Sequence, residues 1–165
     1  MSPSAPQGAP PPRLFRSFGD GSWIVPPASV KGTERIRIGA GAVVLEHASI
    51  AVGDGASLSI GDATRLGRGI TIVCSTSIEI GEQVSSSDHA TVTDSWALLD
   101  WPDGSTPPPP APEVIESGAH LGFGSFVGPG VHVGRGAYVG EGAVVLDDVA
   151  AHTVVRGNPA RVVPA

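Results

Sequence analysis

The groups in this chain that could do chemistry are few. Five histidines stand at positions 47, 89, 120, 132 and 152, with a single cysteine, Cys74. An imidazole next to a carboxyl suits general-base work, because it titrates near neutrality and the carboxyl holds its orientation. Asp88-His89 has that form. Six residues on, Asp94-Ser95 places a hydroxyl after the acid at the start of "DSWALLD". A serine of ordinary acidity takes up no proton at neutral pH, so His89 is the candidate base, with Asp88 or Asp94 to orient it. A metal site needs several histidines or cysteines converging. His120 and His132 lie 12 residues apart, His47 and His152 are isolated, and Cys74 has no partner for a disulfide or thiolate cluster. No bound metal is expected.

What positions these groups is a repeat. From Ile115 onward an inward-type residue returns at every sixth position: Leu121, Val127, Val133, Val139, Val145 and Ala151. Glycine follows several of them, at Gly122, Gly128, Gly134 and Gly140. Small or β-branched residues stand four places after each marker, from Ala119 and Ser125 to Val149 and Val155. The first half repeats the unit more loosely, through Ile38, Val44, Val52, Ile60, Leu66, Ile72 and Ile80, with slips of two residues. A six-residue period fits no amphipathic helix, whereas short β-branched runs between glycines fit short strands joined by tight corners. Three units close one triangular coil of roughly 18 residues, and coils stack about 4.8 Å apart through parallel ladders. The expected fold is all-β: a parallel β-helix of hexapeptide repeats with about six coils, its markers pointing inward. The glycine after each marker is expected at a corner needing positive φ. On this register His89 and Ser95 fall at different corners.

Hydrophobic residues make up 41% of the chain, enough for one domain with a core, and the net charge of −6 disfavours nucleic acid or an anionic membrane as partner. No apolar run reaches the roughly 18 residues of a membrane helix, and the N-terminal stretch lacks the apolar centre of a signal peptide. A cytoplasmic location is expected. Of the 16 prolines, five fall in residues 3–12 and six between Pro102 and Pro112. The first group predicts a disordered tail over residues 1–13 ahead of a single domain over 14–165. The second predicts an excursion from the prism over about residues 96–113, because proline cannot donate to a ladder. Trp96, Leu98, Leu99 and Trp101 favour its docking on the body. The ending "AAHTVVRGNPARVV" breaks the hexad and predicts a cap over about 152–165.

The stretches "IGAGAVVLEHASI", "LGRGITIVCSTSIEIG" and "VGPGVHVGRGAYVGEGAVVLDDVAAHTVVRGNPARVV" resemble the hexapeptide-repeat acyltransferases, over about residues 15–165. They are most similar to the branch that O-acetylates polysaccharide or antibiotic sugars. The resemblance implies a left-handed winding, a homotrimer, and acetyl-CoA as co-substrate in the cleft between neighbouring prisms. It implies acyl transfer to a hydroxyl of a carbohydrate or glycosylated small molecule, with the excursion covering the cleft. It also implies a catalytic histidine just before the loop. Aligned without gaps, Asp94 falls on the family's acidic residue, Ser95 on that histidine and Ala97 on a second one. The expected catalytic set is His89, Asp94 and Ser95. The stretches matching the CoA-lining walls contain Gly122, Phe123, Glu141, Gly142 and Ala143. Leu146-Asp147 replaces a threonine–lysine pair that assists the CoA phosphates, leaving Arg156 or Arg161 to compensate. The loss of the usual histidine keeps a second reading open, a catalytically silent scaffold that binds sugar or protein partners.

Overall fold

Short β-branched runs between flexible corners fold as stacked coils, and the computed structural model describes residues 7–8, 10–98 and 104–164 of them. Three parallel sheets form the sides of a prism. Face A runs through Ser17–Phe18, Ile36–Ile38, Ser57–Ile60, Ser77–Ile80, Glu113–Ile115 and His132–Val133. Face B runs through Trp23–Ile24, Val43–Val44, Arg65–Leu66, Ser85–Ser86, His120–Leu121, Tyr138–Val139 and Val154–Arg156. Face C runs through Ser29–Lys31, Ser49–Val52, Thr71–Cys74, Thr91–Thr93, Phe126–Val127 and Val144–Val145. The chain visits A, B and C in turn, completing six coils and starting a seventh. Among the described residues no helix is long and apolar enough to cross a membrane.

The register explains the core. On face A, Ile38, Ile60, Ile80, Ile115 and Val133 stack in one inward column. On face C, Ile50, Ile72, Val92, Val127 and Val145 do the same. Val52, expected in that column, is buried but lines up with Cys74, because the wider early coils carry two inward residues per strand. Ile36 and Leu58 are 22 residues apart, Leu58 and Ile78 are 20, and Val114 and His132 are 18. The slips in the first half are these wider coils. The last coil tightens instead. Ala151, expected as the seventh marker, is exposed, and Val149 and Val155 take the inward places beside Val133 and Val139, each 16 residues on.

The corner glycines divide into two kinds. A Cβ on Gly122 would lie 2.6 Å from the Gly140 carbonyl carbon, so the glycine after a marker is needed for the close approach of successive coils. The expected positive φ falls two residues later, as at Gly142 with φ 63°. That left-handed place is filled by side-chain-bearing residues at several corners, including His47, His89 and His152. Histidine is one of the residues that tolerates it.

Two segments leave the coil. A ladder step that takes 20 residues from Leu58 to Ile78 takes 35 from Ile78 to Glu113. Within that excursion Trp96–Leu98 form a single 3₁₀ turn, and Leu99 and Trp101 lie outside the described residues. It returns through Ala111, whose N–H donates to the Asp94 carbonyl at 2.9 Å. At the far end Arg161–Val162 pairs antiparallel with Val154–Arg156, covering the last strand of face B. Residues 1–6 of the expected tail are outside the described residues. Pro12–Leu14 forms a 3₁₀ turn, and Phe15 after it is buried in the core.

Candidate functional site

The residues singled out in the sequence fall on two different edges of the prism. The edge between faces B and C carries Asp88 and His89, then one coil higher Gly122 and Phe123, then Glu141 and Gly142. The coils are tied there by main-chain bonds, Gly124 N–H to Asp88 carbonyl at 3.0 Å and Gly142 N–H to Phe123 carbonyl at 2.7 Å. Phe123 stands out from the edge, 52% exposed, and the exposed His89 ring meets it edge-on at 5.6 Å between centroids. Beyond Gly124 and Gly142 a Cβ would meet nothing within 4 Å. The result is a flat, open strip of main chain with one apolar ring beside it and an imidazole at its foot. His89 makes no side-chain hydrogen bond among the described residues, and the Nδ1 and Cε1 edge of its ring lies over Gly69 of the coil below. Ala143 belongs to the same corner, but its methyl is buried in the core. Arg161 lies away from the strip, 3.8 Å from Asp147 in an exposed pair.

Asp94 and Ser95 sit on the edge between faces C and A, a full face away from His89. Asp94 is completely buried. Its Oδ1 accepts the Ser75 N–H at 2.7 Å, and its Oδ2 accepts the Thr76 and Ser77 N–H groups at 2.7 and 2.9 Å and the Thr76 hydroxyl at 2.9 Å. The corner below hangs on this one carboxyl. Buried in this role and a full face from His89, the carboxyl is not placed to orient that imidazole. Ser95 is also buried, and its Oγ accepts the Ala97 N–H at 3.2 Å, capping the 3₁₀ turn at the loop's start. Cys74 lies beneath, its thiol pushed up to about 12 by burial and by Asp94. The structure therefore groups His89 with Gly122, Phe123, Glu141 and Gly142, and separates all of them from Asp94 and Ser95.

Two further groups were not singled out. Glu113 occupies the inward column of Ile36, Leu58 and Ile78, fully buried, with neither carboxyl oxygen hydrogen-bonded. Burial, and secondarily Asp94, push its pKa well above the usual carboxylate range. The second is His120, on face B beside the first edge. Its Nδ1 is 2.8 Å from the Ser85 hydroxyl and its Nε2 3.4 Å from that of Ser87, and its ring stacks on Tyr138 at 4.8 Å. Burial lowers its pKa, favouring the neutral imidazole. The 18-residue spacing of His120 and Tyr138 was visible in the sequence. The 35-residue step from Ser85 to His120 was hidden by the excursion. Among the described residues no group of three or more His, Cys, Asp or Glu is placed to hold a metal.

No family model and no curated protein matches the sequence. Solved structures do. AntD, an N-acyltransferase from Bacillus cereus solved with dTDP and 3-hydroxybutyryl-CoA, superposes with a TM-score of 0.82 at 18% identity, over 93% of this chain and 84% of its own. A hexapeptide-repeat acetyltransferase from Vibrio cholerae gives 0.63 at 24% identity, over 93% and 75%. The polySia-specific acetyltransferase NeuO gives 0.61 at 17% identity, over 88% and 76%. Identities this low establish a common architecture: the chain has the left-handed parallel β-helix fold of the hexapeptide-repeat sugar acyltransferases.

Proposed function

We propose that the protein is a CoA-dependent acyltransferase that moves an acyl group, acetyl in the simplest case, to a hydroxyl of a carbohydrate or glycosylated small molecule. The observation that carries this reading is the open strip along Gly124 and Gly142, with Phe123 beside it and His89 at its foot. Acyl-CoA presents a long, extended arm of apolar and amide groups. A flat run of main chain flanked by an exposed aromatic ring suits such an arm, and the AntD neighbour carries an acyl-CoA on the same architecture. His89 then takes the proton of the acceptor hydroxyl as its oxygen bonds to the thioester carbon. It returns that proton to the departing sulfur as the C–S bond breaks. Glu141 flanks the upper end of the strip, and Arg161, away from it beside Asp147, is the cation left for the CoA phosphates. A cytoplasmic setting, where CoA thioesters are available, is part of this proposal.

Three copies complete the assembly in this reading. Most outward residues of face C, such as Ser49, Ala51, Thr71, Val73 and Thr91, are small or β-branched and uncharged, with Lys31 and Phe126 toward its two ends the exceptions, as suits a packed three-fold contact. Sedimentation equilibrium returning the mass of one chain would exclude the trimer.

The activity is tested by thiol release from acetyl-CoA in the presence of sugar acceptors. His89→Ala should lower turnover at least ~100-fold with an unchanged melting temperature. Loss on His120→Ala with His89→Ala fully active would transfer the base role to His120. The burial of Ser95 where the related enzymes place a base favours a second reading, a silent scaffold. In that case CoA or sugar would raise the melting temperature by mass action without any thiol release.

A further inference from the structure

The first two coils carry a charge opposite to that of the whole chain. Arg13, Arg16, Lys31, Arg35 and Arg37, half of the 10 Lys and Arg, fall within residues 13–37 beside only Asp20 and Glu34, although the net charge is −6. Three of these cations converge. Arg16, Arg35 and Arg37 line a concave recess on face A together with Ser57, Ser59 and Glu79.

The ladder register builds this recess. Arg37 pairs with Ser59 of the next coil, and Ile36 with Leu58, which sets Arg35 beneath Ser57. Side chains alternate along a strand, so Arg37, Ser57 and Ser59 project outward while Ile36 and Leu58 fill the core, and Arg16 and Arg35 stand just before the first two strands of the face. Arg16 enters from the coil below, where Ser17 pairs with Arg37. Arg35 is partly matched by Glu34 and by Asp54 at 3.1 Å, yet its Nε is buried with no acceptor. A buried N–H without a partner is uncommon in folded proteins. Arg16 and Arg37 make no ion pair among the described residues. Guanidinium groups only donate, and their fork matches the two oxygens of a carboxylate or phosphate. Glu79, two coils from Arg37 in the same register column, also lines the recess, and its carboxylate disfavours a second anionic group beside the first.

We infer that this recess binds a single oxyanion group, a carboxylate or a phosphate borne by a carbohydrate. The guanidinium forks of Arg16 and Arg37 clasp it, and the hydroxyls of Ser57 and Ser59 complete the donor set. Its carbohydrate bearer rests on the acyltransferase reading, whereas the oxyanion site does not. A test that reads binding, with no turnover involved, therefore lets the two fail separately.

The test is calorimetric titration of the full chain at low ionic strength with inorganic phosphate, with glucuronate and with neutral glucose. One anion per chain is expected, weakening as salt is added. Tighter phosphate identifies a phosphorylated sugar, and tighter glucuronate an acidic one. Arg16→Ala and Arg37→Ala should each weaken the preferred anion at least ~10-fold with unchanged thermal melting, since both side chains are exposed. Arg68→Ala, on another edge and paired with Glu46, should bind as the wild type does. Absence of binding by either anion at millimolar concentration overturns the proposal. So does a double Arg16→Ala, Arg37→Ala variant that titrates like the wild type, or glucose binding as well as glucuronate.

Discussion

Two edges of one prism put their polar groups to opposite uses. On the edge between faces C and A, Asp94 is fully buried and spends both oxygens on four donors of the neighbouring corner. On the edge between faces B and C, His89 is exposed, has no hydrogen-bond partner among the described residues, and stands against Phe123 over an open strip. The two stretches look alike in sequence, an acid followed by a group of possible chemistry, six residues apart. The difference lies in what each corner must satisfy. Where the chain leaves the coil at Ser95, main-chain N–H groups of the coil below lose their ladder partners, and a buried acceptor has to replace them. Where the coil continues unbroken, the corner residue has no such duty, and its side chain stands exposed.

The comparison can be broken by substitution, and the largest effect is expected at Asp94. Asp94→Ala would strand three main-chain N–H groups of the corner below and leave a cavity at a fully buried site, and it should destabilise the fold by about 3 kcal/mol. Chemical denaturation reads this directly, and a variant as stable as the wild type would deny Asp94 its structural role. Ser95→His comes next. An imidazole has no room at a site only 5% exposed, so the melting temperature should fall by several degrees and turnover should not rise. A gain in acetyl-CoA turnover there would move the base to the loop edge and reverse the comparison.

A smaller and pH-dependent effect is expected at Glu113. Its folded-state pKa is raised above the ordinary 4.5 by burial, so the folded chain holds a proton that the unfolded chain releases as pH rises through 4.5. The wild type therefore loses stability from pH 4.5 upward. Glu113→Leu removes that loss and suits the column of Ile36, Leu58 and Ile78. It should raise the melting temperature at pH 7, with a smaller gain at pH 4. An equal gain at both pH values would mean that Glu113 ionises freely in the folded chain.

The sequence by itself determined the coil. Regular returns of aliphatic residues specify which side chains face inward, and Ile115, Leu121, Val127, Val133, Val139 and Val145 are all buried as their spacing demands. Inward placement is a local property, decided by alternation along each short strand, and so it is legible in one dimension. The excursion was legible too, because proline cannot stay in a ladder. What only the tertiary structure decided is which side chains become neighbours across coils. Lateral partners lie 16, 18, 20, 22 or 35 residues apart according to the width of each coil. His120 therefore meets Ser85, and Arg35 lies beneath Ser57, at separations that no constant period gives. The role of Asp94 was hidden for the same reason: its partners are the N–H groups of residues 75–77, one coil below, and only the stacking of coils brings a carboxyl to donors so far away in the chain.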